Sequence, residues 1–302
     1  MKVRNRKIIR HLSWKSLSAN CTRNIVAICA IALTALLFTS LFTIALSINE
    51  GFQQANFRQV GGYAHGSFKR MTEEQYNALK EDPLIAEQGL SRFLGAPSEP
   101  PFNKSITEIR SVDENYAKFT FATPTTGRLP EEGTDEAAMD TSVLELLGVE
   151  PELGKKITLT FDVGANSAKQ TTQTFTLCGW WEKDEAMPAS EVFIPNSRVD
   201  EVLAEVGGVT DNMTGTWNMD VMLESGSAHI DADMQQILAD NGYQSEDVAA
   251  ANYIDYGVNW GYTGANLAEN FDPTTAIFIV VMLLLILFTG YLIIYNVFQI
   301  SV

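Results

Sequence analysis

Asn24-Ile-Val-Ala-Ile-Cys-Ala-Ile-Ala-Leu-Thr-Ala-Leu-Leu-Phe-Thr-Ser-Leu-Phe-Thr-Ile-Ala-Leu-Ser-Ile-Asn49 contains no Asp, Glu, Lys, Arg or His. As a helix rising about 1.5 Å per residue, its apolar part, residues 25–48, is roughly 36 Å long, against a bilayer hydrocarbon core of about 30 Å. Residues 273–302 are equally free of charge. Two spanning α-helices are therefore expected, 24–48 and 273–298. Between them, residues 49–272 are too polar and too acidic to lie in lipid.

The charges orient this arrangement. Residues 1–23 hold Lys2, Arg4, Arg6, Lys7, Arg10, Lys15 and Arg23 and no acid, and basic residues beside a first span stay in the cytoplasm. Removing those seven from 21 basic residues leaves 14 against 37 acids, a formal −23 for the rest of the chain. Residues 49–272 are then extracytoplasmic, and the chain returns to the cytoplasmic side. A cleaved leader ending near Ala45-Leu46-Ser47 is the competing reading, but such leaders have apolar cores of about 7–15 residues, well short of this run. Within 1–23, Ile8, Ile9, Leu12 and Leu17 interleave with Lys and Arg beside Trp14, the pattern of a basic amphipathic helix on the inner membrane surface, in contact with lipid headgroups.

The extracytoplasmic part reads as an α+β domain. The first helix continues as a stalk through Val60 and stops at Gly61-Gly62, with a strand expected over 63–69. Thr72 followed by Glu73, Glu74 and Gln75 is a helix start. Strands are expected over 85–94, 105–112, 156–163, 172–181 and 191–194, of which 105–112 and 156–163 alternate apolar with polar residues. Short helices over 141–147 and 196–206 close at Gly148 and at Gly207-Gly208. Beyond a subdomain boundary near 208, residues 217–223 alternate as a strand, 230–240 read as a helix, and 242–264 are aromatic and turn-rich. A return stalk begins in 265–270, with Pro273 opening the second span.

Chemistry-bearing constellations are absent from the sequence. His11, His65 and His229 are scattered, without metal-ligand spacing. Cys21 and Cys29 flank or enter the first span, so Cys178 has no extracytoplasmic partner for a disulfide. Asp231-Ala-Asp233 lacks the glycine turn and distal glutamate of a calcium loop and suits the acidic first turn of a helix. Gly148-Val-Glu-Pro-Glu-Leu-Gly154-Lys155-Lys156 imitates a phosphate loop, but five residues separate its glycines and Lys156 replaces the hydroxyl that would reach magnesium. No Gly-x-Ser-x-Gly elbow occurs. The acidity of residues 49–272 opposes nucleic-acid binding. No catalytic residue, cofactor or metal is expected, and the chain is read as a non-enzyme.

The arrangement resembles the FtsX/MacB-type ABC transporter permeases. The likeness rests on Trp14-Lys-Ser-Leu-Ser-Ala-Asn-Cys-Thr-Arg-Asn24 before the apolar run, then Val112-Asp113-Glu114-Asn115-Tyr116, Gly127-Arg128-Leu129-Pro130, and Leu147-Gly148 to Gly154-Lys155-Lys156-Ile157. Thr176-Leu-Cys-Gly-Trp-Trp181 with Glu191-Val-Phe-Ile-Pro195, and Leu292-Ile-Ile-Tyr-Asn-Val-Phe-Gln-Ile-Ser-Val302, complete it. The resemblance implies a MacB-like core domain over 49–272 and a permease subunit that lacks ATPase activity itself. It also implies a separate cytoplasmic ABC ATPase as partner, a homodimer or pseudo-dimer of permease halves, and mechanotransmission during export or extraction of peptides, lipoproteins or antibiotics. By this resemblance the 302 residues are the amino-terminal part of a longer permease. Phe52, Phe57, Leu267 and Phe271 are the expected stalk-packing residues. A two-span receptor with a ligand-sensing external domain is the alternative.

Overall fold

The computed structural model describes residues 6–19, 21–164 and 169–265, together with 277, 280–281, 283–288, 290–292 and 295. The chain divides into two compact units, Met1–Phe52 with Asn266–Val302, and Gln53–Ala265. The second is called the head below. The helices are α1 (Arg6–Ala19), α2 (Cys21–Val60), α3 (Glu73–Leu79), α4 (Glu114–Phe119), α5 (Thr141–Leu146), α6 (Asn196–Glu205), α7 (Ile230–Asp240) and α8 (Trp260–Ala265). The strands are β1 (Gly66–Met71), β2 (Ile85–Ala96), β3 (Thr107–Val112), β4 (Thr126–Gly127), β5 (Glu136–Asp140), β6 (Lys156–Val163), β7 (Gln170–Trp181), β8 (Ser190–Ile194), β9 (Trp217–Leu223) and β10 (Asp255–Val258).

One half of the head is a ring of strands. β2 pairs β3, β3 pairs β8, β8 pairs β5, β5 pairs β7, β7 pairs β6, and β6 returns to β2 through Gly95↔Val163 and Ala96↔Asp162. The parallel pairs are β3 with β8 and β5 with β7. Alternation along β6 explains its placement. Ile157, Leu159, Phe161 and Val163 are buried, while Thr158 and Thr160 face out and bond across to Thr174 and Thr172 at 2.9 Å. The inward set joins Leu94, Ile109, Met139, Phe175 and Val192 in one core, into which α5 and α6 insert Val143, Leu144, Val199 and Val202.

The other half extends the sheet outward from β2 through β9 and β1 to β10. α3 and α7 cover it, burying Phe68, Leu79, Met219, Val221, Met234 and Ile237 together. This core takes residues from both sides of position 208, so the half that follows 208 is completed by the segment 66–79. The Thr72 capping box, with Gln75 reciprocating, fixes the start of α3, and Asp231 and Asp233 lie in the first turn of α7.

Several elements lie outside the expected set. β5 is Glu-Ala-Ala-Met-Asp, weak in strand propensity, and it is held as a strand by β7 on one side and β8 on the other. α4 is capped by Asp113, whose side chain accepts from the Tyr116 N–H. β1 starts at Gly66, three residues later than expected, because 63–65 are taken up by the contacts described below.

In the other unit, α2 exposes Ile25, Val26, Ile28, Ile31, Leu33, Leu36, Leu37 and Phe42. At about 100° per residue these cover about two-thirds of the helix circumference. On the remaining face a side chain at the buried Gly290 would stand 3.1 Å from Thr34 Cγ2, so the two segments approach closely there. Among the described residues no helix is long and apolar enough to cross a membrane. Positions 27, 30, 41 and 44–48 of the first expected span have side chains outside those described, as does half of 273–298.

Candidate functional site

The chain reaches the head along α2 and leaves it along α8, and these two segments meet. α2 stops at Gly61, where φ is +93° and the next amides, Gly61 and Gly62, donate back to Arg58 O (3.3 Å) and Phe57 O (2.8 Å). A left-handed residue that lets the chain turn back on the last carbonyls is a common helix stop, and glycine adopts it without strain. Phe57, on the last turn of α2, is 4% exposed and its ring lies 4.6 Å from that of Tyr262 on α8.

Asn259 ties the strands of chain together. Its Nδ2 donates to Gly62 O (2.9 Å) and Ala64 O (2.7 Å), its Oδ1 accepts from Gly261 N (2.8 Å), and its backbone N–H donates to His65 O (2.9 Å). Tyr262 Oη donates to Tyr63 O at 2.7 Å, and burial pushes its phenol up to about 12, so it remains a donor throughout the physiological range. His65 packs edge-on against Tyr262, and its Nδ1 accepts from Leu223 N at 2.9 Å. Burial lowers its pKa, which keeps the ring neutral and suited to that acceptor role.

A second contact reaches across from the ring of strands. Arg58 Nε donates to Asp184 Oδ2 at 2.5 Å in the turn between β7 and β8, and the guanidinium lies 4.7 Å above the Phe121 ring. The Ala186 N–H, and after it Arg58, hold the Asp184 carboxyl below its usual range. Both partners are about one-third exposed, so solvent screening limits the pair. A double-mutant cycle with Arg58→Ala and Asp184→Ala is expected to give a coupling of about 0.5–1 kcal/mol that shrinks in 0.5 M salt. A coupling indistinguishable from zero at low salt would remove this pair from the junction.

A partly buried polar layer lies under α4. Arg110 contacts Glu108 and the Tyr116 hydroxyl, with Glu191 Oε1 3.5 Å from its Nε. Burial works against the guanidinium charge, but Tyr116, Glu191 and Asp220 outweigh it and raise its pKa. Burial likewise raises the Glu191 carboxyl above its ordinary value, against the pull of Arg110, and raises Asp220 despite its bond from Ser67. A carboxyl whose folded pKa exceeds its unfolded value stabilises the fold at low pH and loses that contribution as pH rises through the folded value. Glu191→Gln is therefore expected to gain stability over the parent as pH rises from 5 to 8, with little difference at pH 4. Urea midpoints across that range check it, and a gain that is largest at pH 4 contradicts it.

Among the described residues no group of three or more His, Cys, Asp or Glu is placed to hold a metal ion. Cys178 is buried, and burial pushes its thiol up to about 12, which leaves no thiolate for nucleophilic chemistry. Of the four expected stalk residues, Phe57 packs at the junction, Phe52 is 61% exposed, and Leu267 and Phe271 lie outside the described residues. Asn259 and Tyr262 were not legible as junction residues. Asn259-Trp-Gly261 carries only a generic turn signal.

No family model matches the chain. No curated protein matches it either. Among solved structures it is similar to the extracellular domain of the noncanonic ABC-type transporter YknZ from Gram-positive bacteria, with 16% identity, a TM-score of 0.37, and coverage of 62% of this chain and 88% of that one. It is also similar to the periplasmic region of MacB from Actinobacillus actinomycetemcomitans, with 13% identity, a TM-score of 0.40, and coverage of 68% and 93%. A domain of a putative permease protein from Porphyromonas gingivalis matches at 11% identity and a TM-score of 0.36, over 65% of this chain and 76% of that one. The likeness is one of mixed α/β domains, and family membership does not follow from it.

Proposed function

We propose that the chain is a permease subunit of an ABC transporter of the FtsX/MacB type. In this reading helices 24–48 and 273–298 lie in the membrane, the amino terminus is cytoplasmic and the head is extracytoplasmic. A separate cytoplasmic ATPase drives movement that enters the head through its two chain crossings, for export or extraction of a peptide, lipoprotein or antibiotic. The observation that carries the reading is α2. Over 25–42 its described apolar side chains stand open around most of the helix, and at Phe57 the same helix is buried in the head. A helix apolar on all sides suits lipid, and one apolar stripe at its far end suits a protein core.

The junction supports a mechanical role. A lever must hold its load through contacts that do not slip, and Phe57, Asn259 and Tyr262 tie the incoming segment to the outgoing one by ring packing and by hydrogen bonds to Gly62, Tyr63 and Ala64. Phe52, Leu267 and Phe271 are proposed as the remaining packing positions along the stalks. The order of sequence motifs, from Trp14 to Asn24 through Leu292 to Val302, supports the choice of this transporter type over a two-span receptor.

The test is purification of the full-length protein from its own membranes in mild detergent. An ATP-hydrolysing subunit in stoichiometric amount is expected. Recovery of kinase components in its place, or of no ATPase after chemical cross-linking, contradicts the reading.

A further inference from the structure

α1 carries its apolar side chains in the open. Ile8, Ile9 and Leu12 are 53, 52 and 66% exposed, and Trp14 is 73% exposed. Lys7, Arg10 and Lys15 are exposed as well, and no acid occurs in residues 1–23. Ile8 and Leu12 are one turn apart and Ile9 is three residues before Leu12, so these three share a face. Lys7, Arg10 and Trp14 follow one another at three and four residues, which puts them on the opposite face. Lys15 borders the apolar face. Among the described residues nothing covers this apolar side, and a helix so exposed and uniformly positive needs a surface that is apolar in its interior and negative at its rim.

We infer that α1 lies on the membrane surface with Ile8, Ile9 and Leu12 in the acyl boundary, and that it selects bilayers rich in anionic headgroups. Charge complementarity argues for this occupant, and so does continuity, since α2 begins at Cys21, just past the end of α1, and its uncharged run begins at Asn24. Lysine and arginine stems reach around the helix toward the headgroups while their charges stay wet. Trp14, turned away from the apolar face, remains in contact with water. Each basic side chain close to an anionic surface contributes about fivefold to binding. Two of the three start on the far face, so their joint effect is set at about tenfold or more.

The inference rests on the membrane reading of α2, and the test separates the two. The full chain is placed in lipid nanodiscs of phosphatidylcholine alone or with one-third phosphatidylglycerol, and amide hydrogen exchange is followed over 7–19. Protection about tenfold or more greater in the anionic discs is expected, lost in 0.5 M salt and lost in the variant K7Q/R10Q/K15Q. The variant I8S/L12S is expected to lose protection in both lipids, while iodide quenches Trp14 in all cases. Equal protection in the two lipids overturns the selectivity. Protection that survives I8S/L12S, or that arises only when an acidic protein is added, overturns lipid as the occupant. A chain that enters neither disc contradicts the spanning helices, whereas one that enters with α1 unprotected contradicts this inference alone.

Discussion

Replacing Phe57 by alanine is expected to lower the stability of the head by about 3–4 kcal/mol, the usual cost of emptying a buried phenylalanine site. The side chain is 4% exposed, packs at a tilt against Tyr262, and is close enough to α8 that a side chain at Gly261 would stand 2.8 Å from its Cδ1. Such tight surroundings leave little room to collapse into the cavity. For a unit of this size the melting temperature should fall by roughly 10 °C. Amide exchange should show where the damage lies, with protection lost first at Asn259, Gly261 and Tyr262, whose amides bond to neighbours within the junction. A drop below 2 °C would mean that the two chain crossings are not held together by this ring, and the mechanical reading of the junction would lose its main contact. Substituting Ile106, a head residue that is 64% exposed, should leave the melting temperature unchanged and serves as the control.

Gly95→Ala is the second large effect, expected at about 3 kcal/mol, the upper end of the usual overpacking range. Gly95 sits where the ring of strands closes, opposite Val163, and an added Cβ would come within 2.1 Å of Asp162 O. Backbone cannot give way there without separating β2 from β6, and only two residue pairs join those strands. The core behind the seam includes Leu94, Phe161 and Val163, so parting it would wet fully buried side chains. Gly95→Val should fail to yield folded head at all. A melt of Gly95→Ala within 3 °C of the parent would show that the seam is not needed for closure.

Long alternating segments were readable from sequence because burial on one face imposes a period of two. β6 and β9 lie where alternation put them, and the helix read over 230–240 has those bounds in the fold. Gly207-Gly208 likewise marked the end of α6, where both glycines adopt positive φ. Elements whose state is imposed by neighbours were not readable. β5 is an Ala-rich segment made a strand by β7 and β8, and the four residues of β10 owe their pairing to β1. The ring closure was invisible for the same reason, since nothing in Gly95 or Asp162 alone announces a contact across 67 positions of chain. At the junction Phe57 was accessible to sequence reasoning as an apolar residue on a stalk. Asn259 was not, because its role depends on three carbonyl and amide partners that only the fold assembles. Glu191 and Arg110 are charged residues in strands, and their partial burial under α4 follows from a helix too short to show a period.

The central claim is topological, a head outside and an amino terminus inside. Cys178 is 8% exposed, so replacing Cys21 and Cys29 by serine leaves a chain without an accessible thiol. Into that background Lys104→Cys is introduced on an exposed loop of the head, or Ser13→Cys on α1. With a membrane-impermeant maleimide, Lys104→Cys is predicted to label in intact cells and Ser13→Cys only after the membrane is opened. The reverse order, or labelling of Lys104→Cys only in opened cells, would contradict the account.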